Sequence, residues 1–81
     1  MHYKELIRKR FRDARIEMGL SQRKLAELVE VTQATVSNWE IGRMEPTIDN
    51  YLKLCIALKI SFPVLFEGTS YEHLFAKDVS D

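Results

Sequence analysis

Residues 19–46 read GLSQRKLAELVEVTQATVSNWEIGRMEP, and their punctuation divides them into two short helices with almost nothing between. Ser21 is a good N-cap for a helix bearing Leu25, Ala26, Leu28 and Val29, and Thr32 is another for a helix bearing Val36 and Trp39. Only Glu30 and Val31 separate them. Two helices joined by so tight a turn cannot lie antiparallel and must cross steeply. The second helix is expected to end near Ile41, with Gly42 as the left-handed residue. The RMEP segment then runs extended, because the residue before Pro46 avoids helical angles.

The second helix has two unlike sides. At about 100° per residue, Gln33, Ser37, Ile41, Ala34 and Asn38 share one arc, while Thr35, Trp39, Val36 and Glu40 fill the other. A surface helix ordinarily turns Lys and Glu to water. This one turns an amide, a methyl, a hydroxyl and a second amide, the groups that match base edges: Gln or Asn bonds adenine at two points, Ser bonds several bases, and an Ala methyl packs on that of thymine. Such short side chains also leave the helix backbone free to approach the floor of a major groove. A polar face by itself is equally an ordinary wet surface, so its neighbours decide.

Upstream, Leu6, Ile7, Phe11, Ala14 and Met18 recur at helical spacing from about Tyr3 to Met18, and Gly19 with Leu20 closes that helix. Downstream, Thr47 caps a fourth helix in which Ile48, Leu52, Cys55 and Leu58 are read as the buried stripe. The SFPV segment opens a fifth, with Pro63 in its first turn. After Gly68 the tail carries Tyr71, Leu74 and Phe75 at helical spacing, with Ser70 as a candidate cap. No strand, repeat, linker or low-complexity tract is evident, so the reading is all-α.

Eighty-one residues allow one domain with one core. A hydrophobic fraction of 46% beside 30% charged residues is ordinary for a globular chain, and no apolar run is long enough to span a bilayer. The opening MHYKELIRKR is charged and helical in pattern, unlike a signal peptide, and the lone Cys55 argues against a disulfide scaffold; a cytoplasmic protein is expected. Net charge is zero but unevenly distributed. Up to residue 24 eight basic side chains stand against three acidic ones, a net +5, and from Glu67 onward the chain carries −3. That asymmetry suits a polyanion-facing side and an acidic, partner-facing or solvated tail. Catalysis finds little support. His2 and His73 have no Cys or paired acid at metal-ligand spacing, Cys55 lies on an apolar stripe, and no phosphate-cradling loop or Ser/His/Asp set occurs, so neither a metal nor a cofactor is expected.

Taken together, GLSQ…LA…VTQ…VS.WE.GR..P resembles the helix-turn-helix of the Cro and phage-repressor (XRE) family of bacterial and phage DNA-binding regulators. The resemblance covers residues 3–66. It implies a compact five-helix, lambda-repressor-like domain over residues 1–66, with the helix-turn-helix at about 21–41, and a tail at 67–81. It further implies that Gln33, Ala34 and Asn38 take base-reading positions with Ser37 as a helper, that Gln22 lies near a phosphate and near Gln33, and that Ala26 is the small residue where helices 2 and 3 cross. Arg15 and Glu40 match a salt bridge tying helix 1 to the end of helix 3. One departure stands out: Glu30 occupies a turn position where many relatives have glycine, at a cost on the order of 1 kcal/mol if that turn needs a positive φ.

Phosphate contacts are expected from the N-terminal amides of helices 2 and 3, from Ser21, Gln22 and Thr32, and from the charges of Arg23 and Arg43. The cluster Arg8, Lys9, Arg10 and Arg12 circles helix 1, so only part of it can face DNA. Phe62 and Phe66 together with Tyr71, Leu74 and Phe75 are read as a twofold interface, with completion of the same core as the alternative. The resulting expectation is a homodimeric, sequence-specific regulator of transcription, a repressor, that reads a palindromic operator in double-stranded DNA. Its alternatives are a restriction-modification controller, an antitoxin that represses its own operon, and a protein-interaction module that leaves DNA alone.

Overall fold

The starts of the first four helices are each marked by the side chain in front of them. In the computed structural model, which describes residues 2–70 and residue 72, the hydroxyls of Ser21, Thr32 and Thr47 accept from the amides of Lys24, Thr35 and Asn50 at 3.0, 3.1 and 3.3 Å. His2 does the same through Nδ1 for the amide of Lys4 at 3.2 Å. These caps satisfy donors that a helix start leaves unpaired. They open α1 (Tyr3–Glu17), α2 (Gln22–Val29), α3 (Gln33–Glu40) and α4 (Ile48–Leu58); α5 (Phe62–Leu65) follows Ser61, with Pro63 in its first turn. The fold is all-α, and the described residues contain no strand.

Helix ends are closed by left-handed residues. At Gly19 the amides of Gly19 and Leu20 return to the carbonyls of Ile16 and Arg15, at 2.9 and 3.0 Å, and turn the chain sharply into α2. The turn after α2 keeps the same geometry without glycine: Glu30 has φ 61°, and the Val31 amide returns to the Ala26 carbonyl at 3.0 Å. Lys59 closes α4 likewise, at φ 56°. Both positions carry the strain of a Cβ in the left-handed region.

The core gathers Ile7 and Phe11 from α1, Leu25, Ala26 and Val29 from α2, Val36 and Trp39 from α3, Leu54, Cys55 and Leu58 from α4, and Leu65 from α5. α2 packs on α3 and α4, while α1 runs beneath α3, α4 and α5. Ala26, buried against this set, leaves room for close approach of the helices. Burial pushes the Cys55 thiol above its ordinary range, which suits a small core residue and not a nucleophile.

Two residues read as part of the buried stripe of α4, Ile48 and Leu52, are exposed, as are Met18 and Leu28, which helped to place α1 and α2. Met18 is the residue at which α1 ends, and Leu28 falls off the arc shared by Leu25, Ala26 and Val29. On α4 the buried arc is centred on Leu54, Cys55 and Leu58, with Tyr51 at its edge. Residues spaced by four advance about 40° around a helix at each step, so a ridge through Ile48 and Leu52 turns steadily away from that arc. No helix among the described residues is long and apolar enough to cross a membrane. Phe62 and Phe66 are half-buried against the core. Tyr71, Leu74, Phe75 and His73 lie outside the described residues.

Candidate nucleic-acid interface

α3 is held by its back. Val36 and Trp39 are buried in the core, while Gln33 and Ala34 are exposed and Ser37 and Asn38 are half-buried on the opposite side. Ile41, at the end of the same outward arc, is 62% exposed. The Gln33 and Ser37 side chains form no hydrogen bond with the described residues, which leaves their donors and acceptors available. Asn38 directs Nδ2 to the Met44 sulfur at 3.7 Å, while its carbonyl accepts from the amides of Arg43 and Met44 at 2.9 and 3.2 Å. Thr32 shares its hydroxyl between the Thr35 amide and the Thr35 hydroxyl, the latter at 2.8 Å.

A half-buried ionic network fixes the far end of α3. Arg15 donates from Nε to Glu40 Oε2 at 2.7 Å and from Nη2 to Oε1 at 3.1 Å, and from Nη1 to the Leu20 carbonyl at 2.8 Å. The two side chains are only 12% and 8% exposed. Gln22, assigned by resemblance to a phosphate and to Gln33, donates from Nε2 to Glu40 Oε1 at 3.0 Å. The amide that opens α2 is therefore tied to the residue that closes α3. The carboxylate of Glu40 accepts three hydrogen bonds and has a structural role.

The basic residues separate by job. Arg10 donates to the carbonyls of Val64 and Leu65 at 2.9 and 2.8 Å and caps the end of α5. Arg8 lies over Gly42, where a Cβ would stand 2.7 Å from its Cζ, and so brings positive charge to the carbonyl end of α3. Lys9 pairs with Asp13 at 2.6 Å, and Lys4 with Glu45 at 2.8 Å; the hydrogen bond to Glu45 and its negative charge push the Lys4 ammonium upward. Arg23 and Lys24 approach Glu27 at 3.7 and 3.6 Å as exposed pairs, which constrain them little. Arg43 is exposed, just past α3, and forms no ion pair with the described residues.

The start of α2 carries Ser21 and Arg23, the start of α3 carries Thr32 and Gln33, and Arg43 follows the outward arc of α3; all five side chains are exposed. The first amides of both helices have no intrahelical acceptor and are suited to anions. Sequence reasoning missed two neighbours of this arrangement, Met44 beside Asn38 and Arg8 beside Gly42. The first depends on how the chain folds back after α3 and the second on α1 crossing that turn, and no local signal reports either.

The profile of a family described as Helix-turn-helix matches residues 11–65. Among curated proteins, the SPbeta prophage-derived uncharacterized HTH-type transcriptional regulator YonR of Bacillus subtilis (strain 168) is 32% identical over 60 residues, 74% of this chain and 56% of that protein. The chain therefore spans about half the length of this curated relative. Among solved structures, the clp gene regulator ClgR from Corynebacterium glutamicum aligns with a TM-score of 0.74 at 30% identity, covering 94% of this chain and 82% of that one.

Proposed function

The chain belongs to the helix-turn-helix family, and on that premise we propose that it binds double-stranded DNA sequence-specifically and regulates transcription as a homodimer, acting as a repressor by occupying promoter DNA. One observation carries the reading: the outward arc of α3 presents Gln33, Ala34, Ser37 and Asn38, with no Lys or Glu among them, on a helix locked from behind by Val36, Trp39 and the Arg15–Glu40 pair. Short amide, hydroxyl and methyl groups can discriminate base edges when a rigid helix brings them to the groove floor. Ser21, Thr32, Arg23 and Arg43 then contact the sugar-phosphate backbone on either side, with Gln22 positioned at the start of α2. Two such heads about 34 Å apart read a palindrome one helical turn long, which a single head of this size cannot do with useful selectivity.

Selection of bound duplexes from a random pool, followed by anisotropy titrations, tests this. Gln33→Ala or Asn38→Ala is expected to cost about 1–3 kcal/mol and to relax preference at one base position. Arg43→Ala is expected to weaken binding to all sequences and to flatten its salt dependence. Binding that is unselective, or unaltered by both kinds of substitution, would refute the reading.

A further inference from the structure

Ile48, Leu52 and Ile56 form a ridge along the outer face of α4 and are 73%, 43% and 78% exposed. Beside them on one flank lie Asp49 and Lys53, both exposed and neither in an ion pair with any described residue. We propose that this ridge seats a second copy of the chain, with α4 packed against α4 in antiparallel sense about a twofold axis at Leu52. The inference rests on the homodimer reading above and names the surface that makes the dimer.

The ridge is self-complementary in that arrangement. Antiparallel pairing about Leu52 lays Ile48 on the partner's Ile56, Leu52 on its own counterpart and Ile56 on the partner's Ile48. Ridges spaced by four residues interlock at a crossing of about 50°, the commonest packing of helices in globular proteins. The charges select the same pairing. Under a twofold axis perpendicular to both helices the Asp49–Lys53 flank of each copy faces the same way, so each Asp49 meets the partner's Lys53, twice per dimer. A parallel pairing would set that flank against the side bearing Tyr51 and Cys55, where the neighbouring charges Lys4 and Glu45 are already paired with each other at 2.8 Å and Lys59 lies beyond the far end of α4. Exposed apolar ridges with matched charges at the rim mark association surfaces, and an isologous contact is the usual form for two identical chains. Phe62 stands at the edge of the concavities on both sides, with Ile48 in one and with Leu52 and Ile56 in the other, and so contributes to the seat.

The test uses the full chain. In a Cys55→Ala background, Leu52→Cys is expected to form a disulfide-linked dimer on mild oxidation, whereas Leu28→Cys, an exposed site on α2, is expected to form no covalent dimer. By sedimentation equilibrium, Asp49→Lys is expected to weaken the dimer about tenfold or more, or about 1.4 kcal/mol, and Asp49→Lys combined with Lys53→Asp to restore it; circular dichroism checks that each variant folds. A chain that dimerises without the Leu52→Cys cross-link and without charge-swap rescue overturns the α4 seat and leaves the homodimer standing. A dimer indifferent to Asp49→Lys but lost on removal of residues 73–81 overturns it in favour of the tail. A chain that sediments as a monomer at every concentration, with and without DNA, overturns both readings.

Discussion

Breaking the Arg15–Glu40 pair is the most direct perturbation of the structure behind α3. The pair is nearly dry, with side chains 12% and 8% exposed, and bidentate at 2.7 and 3.1 Å. Arg15→Leu leaves the Glu40 carboxylate buried with only the Gln22 amide at 3.0 Å; Glu40→Leu leaves the guanidinium with only the Leu20 carbonyl at 2.8 Å. Removing one partner of such a pair costs about 3–5 kcal/mol, because the survivor is an uncompensated buried charge. In a domain of this size each kcal/mol moves the melting temperature by about 4–8 °C, so even the lower figure corresponds to a fall of about 12–24 °C. Replacing both partners removes both charges, and the double variant is expected to be less destabilised than either single change. The assay is urea and thermal denaturation of the four proteins, combined as a double-mutant cycle. Single changes costing under about 1 kcal/mol, or effects that simply add, would show the pair to behave as a solvated surface contact and would refute the argument.

Three further outcomes are expected. Glu30→Gly relieves a left-handed Cβ and should stabilise the fold by about 1 kcal/mol, raising the melting temperature by about 4–8 °C; a lower midpoint would contradict the φ of 61° found there. Gly42→Ala introduces a Cβ at φ 79° within 2.7 Å of Arg8 Cζ and should cost about 1–2 kcal/mol, most of which persists in an Arg8→Ala background, since shortening Arg8 removes the clash and leaves the backbone strain; complete rescue by Arg8→Ala would assign the cost to the clash alone. Burial raises Cys55 above its ordinary 9.0, and burial followed by the charge of Glu45 raises Tyr51 above 10.0. The unfolded chain therefore loses these protons first, so the stability they contribute is fully present below pH 9 and is lost as pH rises through the folded values. Urea midpoints should fall as pH is raised above 9, and Cys55→Ala should shallow that fall.

What the amino-acid sequence determined by itself is what acts within a few residues of chain. Ser21, Thr32 and Thr47 cap helices because a hydroxyl needs only its own backbone two or three residues on. Val36 and Trp39 turn inward and Gln33 and Ala34 outward because the angle per residue is set by the helix itself. The Arg15–Glu40 contact, 25 residues apart, was legible only through resemblance. Tertiary structure decided the rest. Which of several apolar stripes on α4 is buried depends on where α1 and α2 approach it, and Ile48 and Leu52 were therefore misjudged from spacing alone. The same holds for the tasks of Arg8, Arg10 and Gln22: each reaches a backbone or carboxylate supplied by a distant element, and a side chain's partner at long range is fixed by packing and not by its neighbours in sequence. The turn at Glu30 lies between these cases. Its left-handed geometry was raised only conditionally, through the glycine that many resembling sequences carry there, and the packed core, by holding the two helices in place, makes a non-glycine residue accept it.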